Sequence, residues 1–334
     1  MTLKLSVLDQ SPIAEGISPS EALQQTTKLI QHVEKLGFHR FWVSEHHNTP
    51  TLAGSSPEIL IAHLAANTEK IKVGSGGVML PHYSPFKVAE NFKVLEGLHP
   101  GRIDLGLGRA PGGMPRATLA LNRGKHRDIN EFPDQIEELQ YYLHDSLPEN
   151  HPYYGLKATP LIPTVPEMWL LGSSASSAML AANKGLPYTF AQFINGNGGS
   201  HYMQHYRQQF RPSKYFQEPK GIVAVFVICA ETDEEAERIV SSVDYAILMS
   251  EQGVKSNGAP SPEKALSYSY SSYELARIQE NRKRMVIGSP KKVKEQLLAL
   301  ASLYETDEIM AVTITYDFED KLKSFELLAK ELLD

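Results

Sequence analysis

Cysteine is almost missing: Cys229 is the single thiol among 334 residues. One thiol cannot close an intramolecular disulfide. It also excludes all-cysteine zinc sites and iron–sulfur clusters held within one chain. Long hydrophobic runs are absent too. No window approaches the ~18 uninterrupted apolar residues of a membrane-crossing helix. The opening MTLKLSVLDQSP lacks the basic start and long apolar stretch of a secretory leader. Positive charge is not in excess: 33 Lys and Arg face 39 Asp and Glu, a net charge of −6, which argues against a nucleic-acid footprint. The expectation is a cytoplasmic globular protein that binds neither membrane nor nucleic acid. Apolar residues make up 42% of the chain, enough for a large core and too many for global disorder.

What is present is an alternation. Short Val-, Ile- and Leu-rich runs at 3–8, 38–44, 71–80, 103–107, 168–171, 187–191, 221–230 and 308–315 read as strands. Stretches with helical spacing follow most of them. In the first, Ala22, Leu23, Thr26, Leu29, Ile30, Val33 and Leu36 share one stripe, and Gly37 sits at the C-cap. Buried parallel strands read as continuous apolar runs, as these do. About eight strand–helix pairs favour a closed barrel over a doubly wound sheet. The predicted fold is one α/β domain over 1–334, a (β/α)8 TIM barrel with insertions. Ser18-Pro19, Ser56-Pro57, Ser84-Pro85 and Ser289-Pro290 read as helix starts, with serine as the cap and proline in the first turn. Ser18 and Glu21 match a capping box. Two long segments interrupt the rhythm. Residues 108–131 are rich in Gly and Arg; residues 251–286 are rich in Ser and Tyr and read as a candidate lid insertion or as a disordered excursion.

Four segments could carry chemistry. Glu45-His46-His47-Asn48 ends the second strand, on the barrel face where catalytic groups gather. Neighbours in a strand point to opposite faces, so His46 and His47 do not readily share a metal ion. An imidazole lining a pocket suits proton transfer, and a loop-capping histidine is the alternative. The third strand carries Gly74, Gly76 and Gly77, which suggests close approach of a backbone or a flat ligand, or else tight packing. After the fourth strand comes GLGRAPGG, residues 106–113, which matches neither a Rossmann fingerprint nor a Walker A loop. Its Arg109 offers a planar donor fork suited to phosphate. Gly172-Ser173-Ser174-Ala175-Ser176-Ser177 opens a helix, where free N–H groups make an anion site and ordinary N-capping is the competing reading.

Together these segments resemble the bacterial-luciferase-like flavin monooxygenases. The resemblance is carried by SEHHNTP (44–50), KVGSGGVMLPHYSP (72–85), HPGRIDLGLGRAPGG (99–113), LLGSSASSAMLAANKGLP (170–187) and GSPKKV (288–293). It implies a (β/α)8 barrel that binds reduced FMN, supplied by a separate reductase, and acts with O2 on a small organic substrate, commonly as a homodimer. It places His46 beside the reactive face of the flavin ring. It puts a non-prolyl cis peptide at Gly76-Gly77 under that ring. Arg109 then contacts the phosphate, with Ser173, Ser174 and Ser177 forming the phosphate turn within one residue of register. The reactive cysteine of the light-emitting enzymes is absent, because Gly108 precedes Arg109. No light emission is implied. A deazaflavin-dependent hydride transferase, a non-catalytic flavin binder and a metal hydrolase are the rival readings.

Overall fold

A computed structural model describes residues 3–333, except 110–112, 114, 126, 127 and the side chain of Ile129. In chain order the elements are β1 (Lys4–Asp9), α1 (Pro19–Lys35), β2 (Arg40–Val43), α2 (Pro57–Ala66), β3 (Lys72–Ser75), β4 (Val78–Met79), α3 (Pro85–Leu98), β5 (Ile103–Gly108), α4 (Pro115–Leu121) and α5 (Phe132–Leu143). Then come β6 (Glu167–Gly172), α6 (Ala175–Lys184), β7 (Tyr188–Ala191), α7 (Gly199–Gln208), β8 (Gly221–Cys229), α8 (Asp233–Glu251), α9 (Pro262–Ser267), α10 (Ser272–Arg282), β9 (Met285–Gly288), α11 (Pro290–Leu303), β10 (Glu308–Val312) and α12 (Phe318–Leu332).

The strands pair in parallel in the order β10-β1-β2-β3-β5-β6-β7-β8, and β8 pairs back onto β10. Eight positions therefore close into the expected (β/α)8 barrel. Alternation along the strands sorts the apolar side chains into two layers. Leu8, Trp42, Trp169, Ile222, Ala224, Met310 and Val312 form one cluster and fill the barrel. Leu5, Val7, Phe41, Val43, Val73, Ile103 and Leu105 belong to the larger core under the helices.

The amino ends of the strands are closed by buried charge. The Arg40 guanidinium donates to Glu308 Oε1 at 2.6 Å and to Asp104 Oδ2 at 2.7 Å. Trp42 Nε1 donates to the same Asp104 oxygen at 2.9 Å. In TIM barrels this end serves stability, and the carboxyl ends carry function.

Two sequence expectations need correction, and the 251–286 segment gains detail. The run 71–80 is not one strand. Gly74 pairs with Asp104, but Val78 pairs with Leu107, so one extra residue enters between β3 and β4. Ser75 Oγ bridges the gap, donating to Gly106 O at 2.8 Å and accepting from Gly106 N at 3.0 Å. The segment 251–286 holds helices α9 and α10 and the start of a strand, β9. That strand pairs with β8 beyond the point where β10 ends, from Phe226↔Met285 to Cys229↔Gly288. Of the four Ser-Pro starts, only Ser18 makes the side-chain cap, in the expected box with Glu21. Ser56, Ser84 and Ser289 sit at N-cap positions without that bond.

Gly106 shows how tight the break is. A Cβ there would lie 2.0 Å from Ser75 O and 2.8 Å from a Leu171 methyl. Gly106→Ala must move backbone, and overpacking of this kind costs ~1–3 kcal/mol. Urea unfolding should show that loss. A change within ~0.5 kcal/mol, the range of an ordinary surface substitution, would mean the contact relaxes freely.

Candidate active site at the carboxyl end of the barrel

Past the end of β2 the chain keeps its alternation. Ser44 Oγ hydrogen-bonds His46 Nδ1 at 3.0 Å, and Glu45 Oε1 meets His47 Nε2 at 2.7 Å. The two imidazoles thus take separate partners two residues back, as expected for neighbours on opposite faces. The His46 N–H also donates to Gly54 O at 2.9 Å, which fixes the backbone that carries the ring. Burial pushes the His46 pKa below its ordinary value, and the neighbouring His47 adds to this. His46 is therefore a neutral imidazole at neutral pH, able to accept a proton. A depressed folded-state pKa gives stability that is present above the unfolded value and lost as pH falls through the folded one. An NMR titration should place His46 below 6.5, its ordinary value. A midpoint above it would contradict the burial argument.

Glu45 is a site residue that the sequence reading passed over. Its side chain is fully buried and gathers three donors: His47 Nε2, Tyr83 Oη at 2.7 Å and the Met79 N–H at 2.9 Å. One carboxylate thereby ties the end of β2 to β4, just after Gly76-Gly77. Its sequence signal was an acid beside two histidines on the strand face away from His46.

The Gly76–Gly77 peptide bond is cis. A Cβ at Gly76 would lie 2.5 Å from a Leu8 methyl, and one at Gly77 would lie 2.6 Å from Gly106 O. Gly108 is similarly confined, with Met79 Cε at 2.5 Å. These glycines let backbones approach closely at the carboxyl end of the barrel. The packing reading of the glycines is thus satisfied in its own right.

Arg109 is exposed immediately after β5. Leu107 pairs with Leu170, so Arg109 and Gly172 lie two residues further along adjacent strands. Ser174 is the N-cap of α6 and forms a capping box with Ser177. Ser177 Oγ donates to Ser174 O at 2.8 Å and hydrogen-bonds Tyr188 Oη at 2.9 Å. Burial pushes the Tyr188 hydroxyl far up, so it keeps its proton. A Cβ on Gly172 would lie 2.1 Å from Ser177 Oγ, so this turn requires glycine before it. Ser173 O accepts from Asn195 Nδ2 at 2.9 Å. The serine hydroxyls are therefore engaged in holding the turn. The donors left for an anion are the first-turn N–H groups of α6. A short parallel bridge pairs His47 with Gly113, tying the end of β2 to the segment after Arg109. Residues 110–112 of the Gly/Arg motif lie outside the described residues.

His46, Gly76-Gly77, Arg109 and the 173–177 turn thus follow β2, β3, β5 and β6, four consecutive positions of the barrel ring. One end of the barrel carries an imidazole, a pair of closely packed glycines, a guanidinium and a helix N-terminus. Among the described residues, no group of three or more His, Cys, Asp or Glu side chains could hold a metal ion. None of the described helices is long and apolar enough to cross a membrane.

Comparison with known proteins identifies the family. A family model described as luciferase-like monooxygenase matches residues 3–306. The chain is 56% identical over 332 residues to the uncharacterised protein YwcH of Bacillus subtilis (strain 168), covering 99% of this chain and 100% of that one. It is 39% identical over 336 residues to the N-acetyl-S-alkylcysteine monooxygenase of the same organism, covering 99% and 98%. The crystal structure of apo-MsnO8 superposes with a TM-score of 0.92 at 38% identity, covering 98% of each chain. The chain belongs to the luciferase-like monooxygenase family.

Proposed function

We propose that the protein is an FMN-dependent monooxygenase, using reduced FMN from a separate reductase and O2 on a small organic substrate. The observation that carries this reading is the placement of His46, Gly76-Gly77, Arg109 and the 173–177 turn on four neighbouring strand ends. The residues present suit a flat ring with a phosphate tail. The half-buried Gly76 presents backbone and no side chain to a planar group. The Arg109 fork and the α6 N-terminus supply donors and positive potential for a phosphate monoester. When bound, the reduced flavin supplies the electrons that activate O2 for insertion of one oxygen atom.

The chain's own residues then have definite tasks. Arg109 and the first turn of α6 bind the phosphate, and Ser173, Ser174 and Ser177 hold that turn in shape. Gly76 and Gly77 support the ring. His46, neutral and seated on Ser44, moves a proton at the reacting face. Residues 251–286 serve as the lid that excludes water. That segment is pinned at its start, where Ala259 exchanges backbone bonds of 2.8 Å with Ile13 and Glu15. The exposed Ile59 of α2 and Val94 and Leu98 of α3 offer an apolar face for a homodimer in the cytoplasm. The 39% identical relative makes an N-acetylated S-alkylcysteine the first substrate to try.

The test is a comparison of FMN with riboflavin, which lacks the phosphate. Arg109→Ala should weaken FMN binding about tenfold or more, the scale of one hydrogen bond to a charged group, and leave riboflavin binding nearly unchanged. An unchanged FMN-to-riboflavin ratio would remove Arg109 from the site.

A further inference from the structure

Some of the described arginines have carboxylate partners and some do not; Arg207, like Arg284, has a buried Nε without a hydrogen-bond partner. Among the described arginines, Arg40 pairs with Asp104 and Glu308, Arg238 with Glu235 and Asp320, Arg277 with Glu251, and Arg282 with Asp244 and Glu237. Arg284 is part-buried and has no carboxylate partner among the described residues. Its Nη1 donates to Ile194 O at 2.9 Å and its Nη2 to Asn281 Oδ1 at 3.1 Å. Its Nε is buried without a hydrogen-bond partner. Burial pulls the Arg284 pKa down; Glu251 opposes this, and Arg277 adds to it. Glu251 is already committed to Arg277, through contacts of 2.7 and 2.8 Å.

Arg284 lies on a cleft of about 140 Å³, between the loop after β7 and helix α10. Asn195, Asn197, Arg277 and Lys283 also line it, with Glu280 the one acid in the lining. That acid is taken by Lys283 at 2.5 Å. The cleft therefore holds a guanidinium with no carboxylate within ion-pair distance, beside Asn195 and Asn281, whose Nδ2 groups donate to Ser173 O and Glu251 Oε1. It is also close to the proposed active site. Asn195 bonds Ser173 O, and Phe193, one residue before Ile194, packs against the cluster that fills the barrel.

We propose that this cleft is a second anion site, distinct from the phosphate turn, that takes the carboxylate of the substrate on Arg284. A half-buried guanidinium without a carboxylate is partly desolvated, and a bound carboxylate offsets that desolvation through charge-assisted hydrogen bonds. The volume suits a small acid head group, with the remainder of the molecule directed toward Phe193 and the mouth. The assignment rests on the flavin-site reading for its meaning in catalysis. Its binding test does not need flavin.

The experiment measures binding of hexanoate, hexanamide and inorganic phosphate to the purified flavin-free chain by ligand-observed NMR. Hexanoate should bind more tightly than hexanamide. Arg284→Gln should weaken hexanoate about tenfold or more, as expected for one hydrogen bond to a charged group, and leave hexanamide unchanged. Because Arg284 also holds Ile194 O, Arg284→Lys is the control for the loop; it should retain part of the hexanoate preference. Equal affinities for acid and amide, or equal losses of both in Arg284→Gln with unchanged thermal stability, would overturn the site. Phosphate bound more tightly than hexanoate with the same Arg284 dependence would overturn the carboxylate assignment. FMN titration of the same variants separates the two readings. Lost hexanoate binding with intact FMN binding supports this site. Arg284-dependent hexanoate binding by a chain that takes no FMN would sink the flavin reading alone.

Discussion

Replacing His46 with alanine should slow turnover by about 10²- to 10⁴-fold, the usual contribution of one positioned proton-transfer group. Affinity for reduced FMN should stay nearly intact. The two effects separate because the residues do different work. His46 sits past β2, bound to Ser44, three ring positions from the α6 turn and two from Arg109. In the proposed reading a phosphate is held by Arg109 and α6, and the substitution touches neither. Kinetics with saturating reduced FMN should therefore show the loss in kcat, with little change in the flavin concentration needed. An equal loss of binding and turnover would move His46 from proton transfer to cofactor contact. His46→Asn keeps a donor and an acceptor near Ser44 but has no titratable group. It should be nearly as slow as alanine if proton transfer is the task.

Arg40→Ala should cost ~3–5 kcal/mol of stability, as removal of one partner from a buried ion cluster does. Asp104 is fully buried and Glu308 nearly so, and both rely on this guanidinium. Burial already pushes the Asp104 pKa up, and Arg40 is the strongest charge holding it down. Without Arg40 two carboxylates face each other at the closed end of the barrel. The same guanidinium also covers Trp169, 4.8 Å from the ring centroid, so packing is lost along with charge. Urea unfolding of the variant should show the change. A loss below ~1 kcal/mol, the range of an exposed ion pair, would mean that water reaches the cluster. Activity per folded molecule should hold, because the cluster lies at the end of the barrel away from His46.

These two residues also mark what could be read in the sequence. The eight apolar runs gave the ring, because parallel strands covered by helices must be apolar throughout. The SEHH, Gly-Gly, Gly-Leu-Gly-Arg and Gly-Ser-Ser segments fell at strand ends for the same reason. Periodicity could not report register. The extra residue between Gly74 and Val78 is visible only against the fixed spacing of Asp104 and Leu107 on β5. Strand β9 escaped because it is four residues long and follows a charged, helical stretch. Helix α7 escaped because only Gly199, Met203 and Tyr206 are buried along it, too sparse a stripe to stand out. The isolation of Arg284 was invisible, since Glu280 stands four residues before it in sequence and only the fold shows that acid taken by Lys283. The serine turn shows the opposite limit. Both the phosphate and the capping readings use the same residues, and the hydroxyl contacts of Ser174 and Ser177 satisfy the second without deciding the first.

The most direct measurement is a titration of the purified protein with reduced FMN under argon, followed by admission of O2 with an N-acetylated S-alkylcysteine present. Saturable binding of one reduced FMN per chain is expected, with O2 uptake matched to oxygenated product. No saturable binding of reduced FMN, or tighter binding of a deazaflavin with turnover that proceeds without O2, would contradict the proposed function.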